Sequence, residues 1–198
     1  MKEKEKKMYT LLLLLIYLAF ISLGLPDSLL GSAWPVMHKA FQVPLSYAGP
    51  VTMIISGGTI CSSLMSERLT KKFGTQIVTV FSVMLTAIAL FGFSTASAFW
   101  MLCLWAIPYG LGVGAIDAAL NNYVALHYNS RHMSWLHCFW GLGTIISPYV
   151  MSYALTTSVW QNGYRIVSFI QIGIALILFV TLPIWKVNKK ETAQEEKA

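Results

Sequence analysis

Two carboxylic acids, Asp27 and Asp117, interrupt long apolar runs of this 198-residue chain, whose other acids lie in the termini or in one short loop. An acid at the centre of a membrane helix costs about 2.5–3.5 kcal/mol on insertion scales, so such a residue usually faces a cavity and functions there. No Lys or Arg lies near the middle of these runs. The two acids therefore indicate proton transfer or solute binding, and the alternative is a structural acid bonded to a neighbouring helix.

Asp117 lies in the glycine-rich stretch 108–123. Because a helix turns about 100° per residue, Gly110, Gly114, Asp117 and Asn121 share one face. The two glycines allow a second helix to approach closely, and the acid and the amide, four residues apart, lie side by side. This face is predicted to combine helix packing with a polar site.

A third candidate segment begins the fifth apolar run, where His137, Trp140, Gly141 and Thr144 share one face. An aromatic ring beside polar donors is a common way to hold a sugar, whose apolar face stacks while its hydroxyls form hydrogen bonds. A core histidine bonded to the backbone would give the same pattern, and the sequence leaves both interpretations open.

The elements that must position these residues are membrane helices. The chain is 56% hydrophobic and 11% charged, with a mean hydropathy of +0.62, whereas about a quarter of an ordinary soluble domain is charged. Six segments are long enough to cross about 30 Å of hydrocarbon; they are approximately 10–34, 47–66, 75–94, 99–126, 134–156 and 164–185. We predict an all-α bundle over residues 1–185, followed by a polar cytoplasmic tail or truncated central linker over 186–198.

The basic residues predict the orientation. The net charge is +6, and every Lys and Arg except Lys39 and Arg165 lies in the N-terminus, in alternate loops or in the C-terminal tail. This positive-inside pattern predicts a multi-pass protein of the cell membrane with both termini in the cytoplasm, in contact with lipid and not nucleic acid. The cysteines and histidines lack metal-ligand spacing, and no catalytic motif is present, so we expect neither a metal, a cofactor nor an enzyme.

The chain contains a weak internal repeat. The pattern Gly-x-x-Asp-x-x-Leu occurs at Gly24 to Leu30 in the first span and again at Gly114 to Leu120 in the fourth. A second match, starting at Gly74 and at Gly163, has nearly the same offset. The repeats are thus approximately 9–95 and 98–185. Because each contains three spans, the copies run in opposite directions, and such inverted repeats place solute sites at their interface near the midplane.

The cytoplasmic loop carries a family resemblance. The segment SLMSERLTKK, residues 63–72, resembles the signature of the major facilitator superfamily, Gly-x-x-x-Asp-Arg-x-Gly-Arg-Arg/Lys. Its matching residues are Glu67, Arg68, Lys71 and Lys72, with Glu in place of Asp, Lys in place of Arg, and Ser63 and Thr70 in place of the glycines.

The Gly-x-x-Asp-x-x-x-Asn pattern of span 4 and the segment 131–148 resemble the fucose-permease-like branch of that superfamily. The resemblance implies that Asp27 helps to recognise a sugar and that Asp117 takes part in proton coupling. Asn121, His137 and Trp140 are the further candidate solute ligands. Members have twelve spans, so the resemblance implies the N-terminal half of a twelve-helix fold.

We therefore predict half of a secondary transporter that moves a small polar solute, of the sugar class, with the proton gradient as energy source. Its partner would be a missing C-terminal six-helix half or a second copy. Two alternatives remain at this point: a complete six-span subunit that binds a vitamin for a separate energising partner, and a drug or metabolite exporter of the same superfamily.

Overall fold

The computed structural model describes residues 2–183 and 185, with side chains from residue 8 onward; the predicted tail, 186–198, lies outside the described residues. In the described part, regular structure is entirely helical. The α-helices are α1 (Lys2–Asp27), α2 (Leu29–Ala40), α3 (Ala48–Phe73), α4 (Thr75–Thr95), α5 (Phe99–His127), α6 (Ser130–Thr157) and α7 (Trp160–Val180), and one 3-10 turn, Leu45–Tyr47, precedes α3.

The first span is made of two helices and is longer than predicted. Proline lacks a backbone N–H and disrupts a helix around it, and α1 ends directly after Pro26, with Ser28 between it and α2. The prediction that this span ends near residue 34 is wrong, because α2 continues to Ala40. The inner face of α2 is fully buried at Leu29, Ala33 and Met37. This burial stabilises the helix beyond residue 34, although residues near its end are polar.

Six helical segments are long and apolar enough to cross a membrane, and this confirms the predicted fold class. Their lengths are 33, 29 and 21 residues in the first half and 29, 28 and 21 residues in the second. Six crossings place both ends of the described chain on one side of the bundle. We call this the terminal side; it also carries the α3–α4 and α5–α6 loops, and the other side is the opposite side.

Part of the packing follows the internal repeat. Helix α3 packs along α5, and α1 packs along α6, and these two pairs are equivalent when the first three spans are laid over the last three. The matched glycines make equivalent contacts: Gly24 lies against the backbone of Trp140 on α6, and Gly114 lies against the backbone of Thr59 on α3. At both positions a Cβ atom would overlap the neighbouring helix, so glycine is required for the close approach.

The bundle is open on one face. Only 11% of the most apolar stretch of α3 and 22% of that of α6 are buried, against 44–67% in the other four spans. The smaller cavity described next is lined by residues of α1, α3, α5 and α6, so its polar residues lie beside these two weakly buried helices.

Candidate functional site

Two adjoining cavities meet at Asp27. The larger has a volume of about 550 Å³ and is walled by residues of α1, α2, α3, α4, α5 and α7 and of the 3-10 turn. The smaller, of about 270 Å³, is lined by Phe20, Leu23, Asp27, Thr59, Val113, Asp117, His137 and Trp140. The sequence-predicted residues Asp27, Asp117, His137 and Trp140 are therefore brought together around one space.

Asp27 is held by neutral donors from two other helices. Trp140 on α6 donates its indole Nε1–H to Oδ2 at 2.8 Å, and the hydroxyl of Tyr109 on α5 lies 3.5 Å from Oδ1, at the limit of hydrogen bonding. The break after Pro26 leaves the carboxylate at the end of α1, exposed to both cavities. Both carboxyl oxygens keep lone pairs beyond these two donors, so the group can still accept hydrogen bonds from a solute.

Asp117 and Asn121 form the side-by-side pair that the sequence predicts. The Asn121 Nδ2 amide donates to Asp117 Oδ1 at 3.0 Å. Asp117 lines the smaller cavity, whereas Asn121 lies outside the lining of both cavities. Asn121 thus contacts Asp117 directly, and its role as a solute ligand stays a prediction.

His137 and Trp140 lie at the wall of the smaller cavity. The His137 side chain is exposed and meets the ring of Phe20 edge-on, with centroids 6.2 Å apart. Trp140 is 40% exposed. The alternative of a buried core histidine does not hold in this structure, and both rings are available to a molecule in the cavity.

The hydroxyl-bearing stripe of α3 divides into two parts. Thr59 and Ser63 donate to the carbonyl oxygens of Gly110 and Gly114 on α5, at 3.3 and 3.1 Å. These bonds support the close packing that small residues allow. Thr52 and Ser56, nearer the opposite side, line the larger cavity. Helix packing therefore accounts for half of this stripe.

Of the two glycines near Asp27, only Gly31 leaves open space. Gly31 has no atom within 4 Å of the position of a Cβ atom, so it leaves open space. Gly24 is filled by the backbone of α6 and leaves none. Residue spacing alone does not distinguish a glycine that packs against a helix from one that leaves space.

Two tyrosines of the site were missed. Tyr109 and Tyr164 both line the larger cavity, and they are 4% and 1% exposed. Tyr109 follows Pro108 in the glycine-rich stretch, where it could have been singled out as a polar group inside an apolar run. Tyr164 carries no such signal, because it lies at the start of a span where interfacial aromatic residues are common.

The lining of both cavities contains two carboxylates and no Lys or Arg. The basic residues of the loop signature lie elsewhere. The Lys71 ammonium donates to Glu67 Oε1 at 2.6 Å, with both side chains more than 70% exposed. Such an exposed pair contributes little to stability, because water screens the two charges. Arg68 and Lys72 are also exposed.

Comparison with known proteins agrees with this architecture. Residues 16–198 match the Major Facilitator Superfamily. Over 163 residues the chain is 24% identical to Bypass of stop codon protein 6 of Saccharomyces cerevisiae, covering 81% of this chain and 33% of the yeast protein. Over 168 residues it is 23% identical to the 4-hydroxybenzoate transporter PcaK of Acinetobacter baylyi, covering 81% of this chain and 36% of the bacterial protein.

The chain thus spans about a third of the length of these curated relatives. The family match covers nearly all of the described bundle and includes both acids. With its six membrane-length helices, the chain is a multi-pass membrane protein that belongs to the major facilitator superfamily, a family of transporters.

Proposed function

We propose that this bundle is the N-terminal half of a proton-coupled secondary transporter for a small polar solute, a sugar, and that its fucose-permease-like resemblance extends to the roles of the two acids. The observation that carries the proposal is the pair of carboxylates that line one cavity without a basic residue in its lining. Asp27 would bind the solute, and Asp117 would carry the proton.

The chemistry of the cavity suits a neutral polyhydroxy solute. Asp27 and the hydroxyls of Thr52, Ser56 and Tyr109 can accept or donate hydrogen bonds. The rings of Trp34, Phe93 and Tyr164 offer apolar faces on which a sugar ring can stack. An anionic solute would meet two carboxylates with no compensating cation, which disfavours it. We therefore do not propose an aromatic acid, the substrate class in the name of the PcaK relative, as the solute of this chain.

Proton coupling would follow from the placement of Asp117 in the smaller cavity. Eight helical positions separate Asp117 from Tyr109, so Asp117 lies about 12 Å further toward the terminal side. A proton bound there changes the charge of the cavity. A solute that binds one protonation state better than the other shifts the conformational equilibrium by that difference in affinity. The proposed orientation places the terminal side in the cytoplasm of the cell.

The open face explains why the bundle needs a second half. Alternating access in such folds is a rocking of one bundle against another around the site. Lipid on the open face could not bond to Asp27, Asp117 or His137, and each unsatisfied group would cost several kcal/mol in hydrocarbon. We therefore propose that a second six-helix bundle, a separate half or a second copy, covers this face.

The experiment is uptake by vesicles that contain the purified chain alone, with its mass measured in detergent. We expect no accumulation of labelled hexoses against a gradient, and either a dimer or a poorly stable monomer. Robust uptake by a six-span monomer would contradict the half-transporter proposal.

A second candidate is an exporter of organic cations, and the same cavity supports it. A cation would pair with Asp27 and lie against Trp34 or Tyr109, where cation–π attraction contributes about 0.5–2 kcal/mol. Thermal stabilisation of the chain in nanodiscs by neutral hexoses, by a quaternary amine and by 4-hydroxybenzoate separates the two. Stabilisation by hexoses supports the sugar proposal, and stabilisation by the amine alone supports the exporter.

A further inference from the structure

A separate groove runs along the surface formed by α3, α4 and α5. It consists of two adjoining hollows of about 260 and 520 Å³ that share Leu69, Phe81, Ser82 and Ala115. We call it the α3–α4 groove. None of its lining residues lines the cavities at Asp27, so it is not part of the transport site.

The groove arises from the way in which three helices pack. Helices α3 and α4 follow each other in the chain and both pack along α5, but they touch each other only little. Gly114 holds α5 against α3, and Gly112 holds it against Ser82 and Thr86 of α4. Ala115, which directly follows Gly114 and lines both hollows, provides a shallow floor. The gap is therefore a fixed consequence of the small residues on α5.

The dimensions of the groove match one leaflet of a bilayer. Its α4 wall extends from Ile77 to Ile88, which is about 16 Å at 1.5 Å per residue. Half of a hydrocarbon core of about 30 Å is nearly the same length. The walls are mainly apolar, and Phe81 is 73% exposed. An acyl chain that lies along this wall would reach from the terminal side to the middle of the membrane.

The end of the groove at the terminal side carries positive charge. Phe73 lines the groove, and the Lys72 ammonium lies 5.3 Å from the centroid of its ring. Lys71 lies on another face of α3, where it pairs with Glu67, so that acid is already engaged by a different base. Helix α4 begins here at Thr75, without a side-chain cap and without an acid in its first turn. A helix N-terminus is a positive dipole end.

We propose that the α3–α4 groove binds one anionic phospholipid. One acyl chain lies between Phe81 and Leu85 of α4 and the α3 wall, and the phosphate lies at Lys72. A zwitterionic lipid of the same chain length fits the apolar groove equally well but gains less from the charge. One Lys near an anionic membrane surface changes lipid binding about five-fold.

The test is native mass spectrometry of the full chain released from nanodiscs that contain phosphatidylcholine and phosphatidylglycerol with identical chains. We expect phosphatidylglycerol to be retained preferentially. Lys72→Gln should reduce its retention about five-fold, whereas Arg131→Gln, which removes a charge from the other loop of the terminal side, should not. Leu85→Trp should obstruct the groove, and Leu104→Trp, at an exposed site of α5 outside the groove lining, is its matched control.

Each other outcome overturns the proposal. Equal retention of the two lipids would show that the headgroup is not selected. An equal loss of lipid retention in Lys72→Gln and Arg131→Gln would show that only the net charge of the protein matters. If lipid retention falls in Lys72→Gln but not in Leu85→Trp, the phosphate binds at the surface and no acyl chain lies in the groove. Binding of free glycerol phosphate at the affinity of the lipid would do the same. Lys72, Leu85, Arg131 and Leu104 are all exposed, so these variants should fold, and circular dichroism verifies that they do.

Discussion

The two repeats of this bundle share a scaffold but differ in the chemistry built on it. In each, a glycine packs against the backbone of a helix from the other repeat, Gly24 on α6 and Gly114 on α3. Three residues later each repeat places an acid. Asp27 receives donors from two other helices, whereas Asp117 is paired with Asn121 of its own helix.

This difference has a local cause. Pro26 precedes Asp27, and α1 ends there, which places the carboxylate at a helix end beside Tyr109 and Trp140. The corresponding position before Asp117 is Ile116, and α5 continues without a break to His127. Asp117 therefore remains inside a helix, with an amide one turn away. The two acids thus lie in different surroundings, and the proposed function assigns solute recognition to Asp27 and proton transfer to Asp117.

The largest effect is expected from neutralising Asp117. In vesicles from cells that express the gene at its native locus, Asp117→Asn should abolish accumulation driven by a pH gradient, because no proton can be exchanged at that position. Exchange of labelled for unlabelled solute should continue. Glu67→Gln, which alters an exposed acid, is the control. Normal uphill uptake by Asp117→Asn would exclude this residue from coupling.

The next effect is expected at Asp27. Asp27→Asn should weaken solute binding about 10- to 150-fold, the equivalent of the roughly 1.5–3 kcal/mol of a hydrogen bond to a charged group. Calorimetry on the chain in nanodiscs measures this with the best ligand of the hexose series. Unchanged affinity together with failed transport would move Asp27 from recognition to coupling or gating.

Substitution of the two matched glycines is expected to lower the stability of the bundle. Gly24→Ala and Gly114→Ala should each destabilise the bundle by about 1–3 kcal/mol, because the added Cβ overlaps a neighbouring backbone. Gly141→Ala, at a position with nothing within 4 Å, is the control and should have little effect. Unfolding in a denaturing detergent measures the difference. A large loss for only one of the two matched glycines would indicate that the repeats do not pack equivalently.

The smallest effect is expected from Trp140→Phe, which keeps the ring and removes the donor to Asp27 Oδ2. Solute affinity should fall about 2- to 10-fold, corresponding to one hydrogen bond of about 0.5–1.5 kcal/mol. Trp135→Phe, at a position outside both cavities, should leave affinity unchanged. A loss as large as that of Asp27→Asn would show that the indole N–H binds solute directly.

Much of the fold could be predicted from the sequence, because membrane spans have a strong compositional signal. Five predicted spans match α3 to α7 with changes at their ends only. Helix α3 extends to Phe73, seven residues beyond its predicted end. The prediction ended where the apolar residues end, whereas the helical backbone hydrogen bonds continue through the polar residues that follow. The first span was misjudged at residue 34 for the same reason.

The site was predicted less completely, because its contacts join distant helices. The Asp117–Asn121 bond follows from spacing within one helix. The contacts of Asp27 with Tyr109 and Trp140 cross 82 and 113 sequence positions, and no periodicity reveals them. The contact of Gly24 with α6 depends likewise on which helix is its neighbour.

The most direct test of the division between the two acids is the number of protons taken up when the best hexose ligand binds, measured by calorimetry in buffers of different ionisation enthalpy. The account predicts about one proton for the unmodified chain, binding without proton uptake for Asp117→Asn, and strongly weakened binding for Asp27→Asn that still takes up a proton. Proton uptake that persists in Asp117→Asn and disappears in Asp27→Asn would contradict it.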